Sequence, residues 1–240
     1  MDLLEFSNEL NKLLNKIKVE TSEEIINNFY KYMNILLEWN EKINLTAITE
    51  PKDIILKHFV DCGTALKYLE ENKKILDLGT GAGFPGIPLK ILNNKLEITL
   101  VDSLNKRINF LNEVISSLKL NNISTIHSRA EDLARNNKHR EKYDIILSRA
   151  VANMSVLLEY TLPFLKVGGI CICMKGPNIE EELSNSEKAL KILGGEIQKI
   201  DNIILPDSDI ERNIVIIKKI KGTPKQYPRK AGKPSKEPIL

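Results

Sequence analysis

The sequence predicts an α/β fold: a mostly parallel, seven-stranded sheet with an antiparallel closing strand, preceded by a helical N-terminal extension. Three observations predict it. Short apolar runs alternate with amphipathic segments from Lys73 onward, which implies a parallel sheet. Residues 1 to about 70 hold only helical periodicity. Two late apolar runs lack a helix between them, so they pair antiparallel. The expected divisions are 1–70 for the helical extension, 71–221 for the α/β core and 222–240 for a basic tail.

The elements follow in order. Leu3, Leu4, Leu10, Leu13, Leu14 and Ile17 recur at helical spacing. Thr21-Ser22-Glu23-Glu24 is a capping box that opens a second helix, with Ile25, Phe29, Met33, Leu36 and Trp39 on its apolar stripe. A third helix starts at Thr49-Glu50-Pro51, with proline tolerated in the first turn. His58 and Asp61 stand at i and i+3 on it and can meet, most simply as a surface pair. Strands are expected at Lys74–Leu78, Leu96–Asp102, Ile123–His127, Tyr143–Ser148, Gly169–Met174, Ile197–Ile204 and Asn213–Ile220. Helices are expected at Gly86–Leu92, Leu104–Leu118, Ala130–Asn136, Ser155–Leu165 and Ile179–Leu193. Beyond Lys221 the prolines at 224, 228, 234 and 238 predict an extended or disordered tail without helix.

The chain is organised around Lys73–Gly86, KKILDLGTGAGFPG. A strand runs into Gly79, Gly81 and Gly83, which let the backbone turn tightly against a ligand before the next helix. Asp77 places a carboxylate at the mouth of that turn, which suits a cationic or amine-bearing ligand better than a pyrophosphate. The pattern looks like motif I of S-adenosylmethionine-dependent methyltransferases. Gly81–Gly86 also fits the dinucleotide fingerprint G-x-G-x-x-G as a string. Its register is poor, because the strand-closing glycine is Gly79, and Pro85 lacks the amide hydrogen a phosphate would use.

Ligands of open parallel sheets lie at the carboxyl ends of the strands. Those ends supply Gly79 and Phe84; Asp102, Ser103 and Leu104; Ala130 and Glu131; Arg149; and Lys175 beside a tight turn. Asp102 can accept from both hydroxyls of a ribose, which supports a nucleoside without choosing between NAD and S-adenosylmethionine; it can equally cap the next helix. Arg149 reads equally as a cofactor or a substrate contact.

At 240 residues and 42% hydrophobic content, the chain holds one α/β domain plus an extension. No apolar run approaches the length of a membrane span. The three cysteines cannot all pair, and Cys171 and Cys173 alternate on a strand as packing residues, so a reducing cytoplasm is the expected setting and no metal is expected. The net charge of +3 hides an asymmetry. From Lys218 to Lys236 stand eight basic residues, with Glu237 the one acid, while the remainder is mildly acidic. Such a tail suggests a polyanion partner, or a solvated segment that aids solubility.

Beyond these local readings, WNEKINLTAI (Trp39–Ile48), HFVDC (His58–Cys62), DLGTGAGFPGIPL (Asp77–Leu89), VDSLNKRINFL (Val101–Leu111), SRAEDLAR (Ser128–Arg135), SRAVA (Ser148–Ala152), MKG (Met174–Gly176) and the YPRK tail occur together. In this set the chain resembles the bacterial 16S ribosomal RNA guanine-N7 methyltransferases, the RsmG or glucose-inhibited division protein B family, over nearly its whole length. Cys62 departs from the serine usual there. The resemblance implies the class I Rossmann-like methyltransferase fold, S-adenosyl-L-methionine as cofactor, and a pocket of Gly79, Phe84, Asp102, Ser103, Leu104, Ala130, Glu131 and Arg149. It also implies a guanine of 16S RNA, in the 30S subunit or its precursor, as substrate. A monomer is expected, since nothing in the sequence argues against one. His58, Lys175, Arg229 and Lys230 are the expected substrate contacts. Guanine N7 carries a free lone pair, so no general base is expected, and catalysis reduces to in-line positioning and water exclusion. A small-molecule methyltransferase would share the pocket without using the tail, and a non-catalytic ribosome-binding protein the reverse.

Overall fold

The computed structural model describes residues 1–240. Its strands are β1 (Lys74–Leu78), β2 (Glu97–Asp102), β3 (Ile123–His127), β4 (Tyr143–Arg149), β5 (Leu165–Lys175), β6 (Gly195–Ile204) and β7 (Glu211–Lys219). They form one sheet in the order β3-β2-β1-β4-β5-β7-β6. The first five strands are parallel, and β7 runs antiparallel to both β5 and β6. The order reverses between β1 and β4, which places the crevice for a ligand at their carboxyl ends.

Alternation along β1 explains the layering. Ile75 joins one apolar cluster and Leu76 and Leu78 the other, as a two-residue period demands of a strand buried on both faces. Helices α1 (Leu3–Lys16) and α2 (Glu23–Ile43) contribute to the first cluster with Phe6, Leu10, Phe29 and Met33. Ser22 caps α2, accepting from the Ile25 amide at 3.3 Å as the capping signal predicts.

The expected third helix is a composite. A turn of α3 (Pro51–Ile54) passes into a π-helical segment, Ile55–Val60, and then into α4 (Asp61–Gly63). His58 and Asp61 are both buried beneath Arg149, which overturns the surface-pair expectation. Helices α5 (Gly86–Leu92) and α6 (Asn105–Ser117) complete this layer.

The opposite layer holds α7 (Ala130–Leu133), α8 (Met154–Thr161), α9 (Glu180–Ser184) and α10 (Glu187–Leu193). The single helix expected over Ile179–Leu193 is broken at Asn185-Ser186, where the Ser186 hydroxyl and amide both donate to the Leu183 carbonyl, at 2.7 and 2.9 Å. The tail also departs from expectation. It packs on this layer and forms α11 (Lys233–Lys236), with Pro234 buried in the first turn, where its missing amide hydrogen costs nothing. Thr223, Pro228 and Ile239 are buried as well.

Candidate active site

Three glycines shape the turn after β1, each in the left-handed region: Gly79 at φ +70°, Gly81 at +60° and Gly83 at +94°. Only glycine enters this region without strain. A Cβ on Gly79 would lie 2.7 Å from Val151 Cγ2, so the close approach of the next crossover also requires it. The Gly79 and Thr80 amides both donate to the Val101 carbonyl, at 2.9 and 3.1 Å, which ties the turn to β2. Asp77 does not stand at the mouth of the turn. It is fully buried and braces the turn from beneath, accepting from Thr80 Oγ1 at 2.6 Å and the Gly86 amide at 2.8 Å. Burial pushes its pKa up to about 6 against the pull of those two donors.

Beside this turn lies a cavity of about 430 Å³. Gly79, Asp102, Ser103, Ala130 and Glu131 line it, as the strand-end argument anticipates. Asp102 is buried and accepts from the Gly81 amide at 3.0 Å, the Leu104 amide at 2.9 Å and Arg107 Nη1 at 3.2 Å. Leu104 does not line the cavity; its part is the backbone amide that holds Asp102. A carboxylate offers about four acceptor sites, so one remains for a ligand hydroxyl. The floor is apolar: Leu78, Val101, Ala130 and Val151. Volume, acid and apolar walls fit a nucleoside-bearing cofactor such as S-adenosylmethionine. Arg107, Val151, Tyr160 and Gly232 also line the cavity and were not singled out in the sequence. Arg107, inside VDSLNKR, and Val151, inside SRAVA, carried a usable signal; Tyr160 and Gly232 carried none.

Phe84 and Arg149 do not line this cavity. The Arg149 guanidinium lies 4.8 Å from the Phe84 ring centre, and His58 stacks on the same ring at 4.3 Å. Arg149 donates to Asp61 Oδ2 at 3.0 Å, the Lys57 carbonyl at 3.1 Å and His58 Nδ1 at 3.1 Å. An arginine can only donate, so His58 Nδ1 accepts and the ring hydrogen sits on Nε2, which faces Thr46 Oγ1 at 2.9 Å. Burial first, and then the Arg149 charge, lower the His58 pKa to about 3, so the ring is neutral. His58 and Asp61 thus converge on Arg149, not on each other.

Arg149, His58 and Asp61 line a second cavity of about 320 Å³ together with Lys57, Lys175 and Arg212. Four of its ten lining residues are cations, Lys57, Arg149, Lys175 and Arg212; Asp61 is the one carboxylate, and Ile48, Ala150 and Met174 supply apolar wall. Lys175 donates to the Ala152 carbonyl at 2.6 Å and pairs with Glu182. Arg212 Nε approaches Asp61 Oδ2 at 3.4 Å. Sequence reading missed Arg212, which lies in no motif. Asp61 Oδ1 and Ser148 Oγ are buried around this strand end without a hydrogen-bond partner in the chain. The two cavities share Ala150, which follows β4 with φ +55°, a conformation few non-glycine residues adopt.

Arg229 and Lys230 lie apart from this group. Arg229 grips Glu159, a fully buried carboxylate, through Nε at 3.0 Å and Nη2 at 2.6 Å, while Lys230 is exposed.

The family model described as rRNA small subunit methyltransferase G matches residues 25–214. The ribosomal RNA small subunit methyltransferase G of Alkaliphilus oremlandii (strain OhILAs) is 56% identical over 225 residues, covering 93% of this chain and 94% of its own. Its counterpart in Clostridium tetani (strain Massachusetts / E88) is 53% identical over 232 residues, with coverage of 96% and 97%. Among solved structures, M. jannaschii TYW2 in complex with AdoMet superposes with a TM-score of 0.56 over 75% of this chain and 80% of that one. Its 16% identity speaks to the fold alone, that of class I S-adenosylmethionine-dependent methyltransferases. Matched by the family model across most of its length and more than half identical to these relatives, the chain belongs to the rRNA small subunit methyltransferase G family.

Proposed function

We propose that the protein transfers the methyl group of S-adenosyl-L-methionine to N7 of a guanine in 16S ribosomal RNA, with the first cavity as donor site and the second as acceptor site. The observation that carries this division is their junction at Ala150: a nucleoside-fitting cavity with a buried acid opens beside one that holds four cationic side chains. The cofactor supplies a methyl group already activated by its sulfonium. Asp102, its position fixed by three donors that include the Leu104 amide, would accept from the ribose, and Gly79, Ser103, Ala130 and Glu131 would frame the rest.

Arg149 and His58 line the acceptor cavity over the Phe84 ring, and His58 holds Arg149 in place as a neutral acceptor. No residue needs to remove a proton, because N7 carries a lone pair. The work of the site is to align N7 with the breaking bond and exclude water. Lys57, Lys175 and Arg212 line the acceptor cavity, each held beside a carboxylate, Asp53, Glu182 and Asp61 respectively, from which an RNA phosphate could draw them. The base must reach it unpaired or flipped from its stack. One chain carries both cavities, which suits a monomer working in the cytoplasm on the 30S subunit or its precursor.

The test is methyl transfer from labelled donor to 30S subunits, naked 16S RNA and small-molecule acceptors in parallel, with nucleoside mass spectrometry of the product. N7-methylguanosine at one position of the 16S RNA is the expected result. Label confined to small molecules, or no label on any acceptor, would overturn the assignment.

A further inference from the structure

We infer that the C-terminal tail is a wall of the cofactor site, and that tail docking and cofactor binding stabilise each other. The inference rests on the donor-cavity reading above and adds to it a segment that no strand-end argument would include.

Two residues of the donor cavity, Glu131 and Tyr160, are tied to the tail, and a tail residue joins its lining. Gly232 lines the cavity itself, and its amide donates to Glu131 Oε1 at 2.9 Å. Tyr160, on α8, meets Ser235 Oγ at 2.8 Å through its hydroxyl. The residue before it, Glu159, is fully buried and takes the Arg229 amide at 2.7 Å as well as the Arg229 guanidinium. Arg135 and Arg140 clasp the approach to this segment by donating to the Pro228 carbonyl at 2.8 Å and the Tyr227 carbonyl at 2.8 Å.

The chemistry explains why the docked tail is the favoured state. A carboxylate buried as deeply as Glu159 must be paired, and Arg229 is the partner the structure gives it. Undocking would leave that charge unpaired. It would also release Glu131 from Gly232 and open the cavity between α7 and α8. Gly232 sits at φ +80°, and a Cβ there would touch nothing within 4 Å. Its requirement is therefore conformational: the chain turns there to aim an amide at Glu131. Lys225, Lys230 and Lys236 remain exposed while the inner side of the tail closes the cavity. A cofactor that contacts Glu131 and its neighbours then binds the docked form better than the undocked one, and the coupling is reciprocal.

The test uses the full chain. Trypsin cleavage after Lys230 is timed by mass spectrometry with and without S-adenosylmethionine, and cleavage within residues 1–70 serves as the reference for global opening. At one hundred times the dissociation constant, a ligand that binds only the docked form slows tail cleavage up to about a hundredfold. Calorimetry of Arg229→Ala should show affinity for S-adenosylmethionine weakened by about tenfold or more, within the usual range of coupling between sites. Should that variant fail to fold, the cleavage experiment on the unaltered chain decides alone. Tail cleavage indifferent to the cofactor, or a folded Arg229→Ala protein with unaltered affinity, overturns the inference while leaving the donor site intact. An unaltered chain that does not bind S-adenosylmethionine at all removes the donor reading and the inference together.

Discussion

Burial moves an acid and a base in opposite directions, and this molecule holds one of each near its ligand crevice. The Asp77 pKa rises from 3.8 to about 6, and the His58 pKa falls from 6.5 to about 3. Between pH 4 and 6 the folded state binds more protons than the unfolded chain at Asp77, so acidification there is stabilising. At His58 the folded state binds fewer, so stability is fully present above pH 6.5 and is lost as pH falls toward 3. The two slopes oppose each other across the shared window. Asp77→Asn should therefore unmask the histidine, with stability falling as pH drops from 6.5 to 4 by up to about 1.4 kcal/mol per unit. His58→Gln should unmask the aspartate, and its stability should rise over the same descent. Urea unfolding of both variants at pH 4, 5, 6 and 7 measures the two slopes. Parallel pH profiles for the two variants would contradict this assignment.

At the scale of elements, α2 reaches the glycine turn through one hydroxyl. Tyr32 is fully buried, and its hydroxyl donates to the Ala82 carbonyl, between Gly81 and Gly83. Tyr32→Phe would leave that buried carbonyl without its partner and should cost about 1–3 kcal/mol of unfolding free energy. The shift in urea midpoint, with unchanged m-value, reads it. The partner of Tyr32 illustrates what sequence can and cannot reveal. Strand β1, α5 and the glycine turn were legible because period, helix spacing and left-handed turns are local properties of the chain. That Asp102 and Glu131 would line a cavity at the carboxyl edge of the sheet was legible because strand ends border the crevice of an open sheet. The π-helical segment was not, since no periodicity distinguishes it from an ordinary helix over six residues. Nor was the docked tail. Its anchors, Arg135 and Arg140, bond to carbonyls 83 or more residues away, and the tail's own composition reads as solvated. Arg212 meets Asp61 across 151 residues and was invisible for the same reason.

For the whole molecule, charge is divided between an inner and an outer use. Arg229 is consumed by Glu159, whereas Lys225, Lys230 and Lys236 face outward. Neutralising phosphates with such residues releases counterions, so affinity for 16S RNA should fall steeply with salt. Replacing these three lysines with glutamine should flatten the plot of log affinity against log salt by about two to three units if each meets a phosphate. The cofactor affinity should hold, because none of the three lines the donor cavity. Filter binding of 30S subunits across a salt series measures the slope, and an unaltered slope would assign these lysines to solubility. The sheet order imposes a further constraint on the molecule, this time in the order of assembly. Strand β7 lies between β5 and β6, and β6 pairs with β7 alone. The chain must therefore make β6 before any partner for it exists, and keep one edge of β5 open until residues 211–219 arrive. During that interval two unpaired edges are present together, one of them on the strand that carries Ile197, Ile200 and Ile204. Such edges recruit other chains. Folding is thus a race between insertion of a late strand and capture by a neighbour, and a chain stopped before β7 would be expected to aggregate instead of yielding a smaller soluble protein.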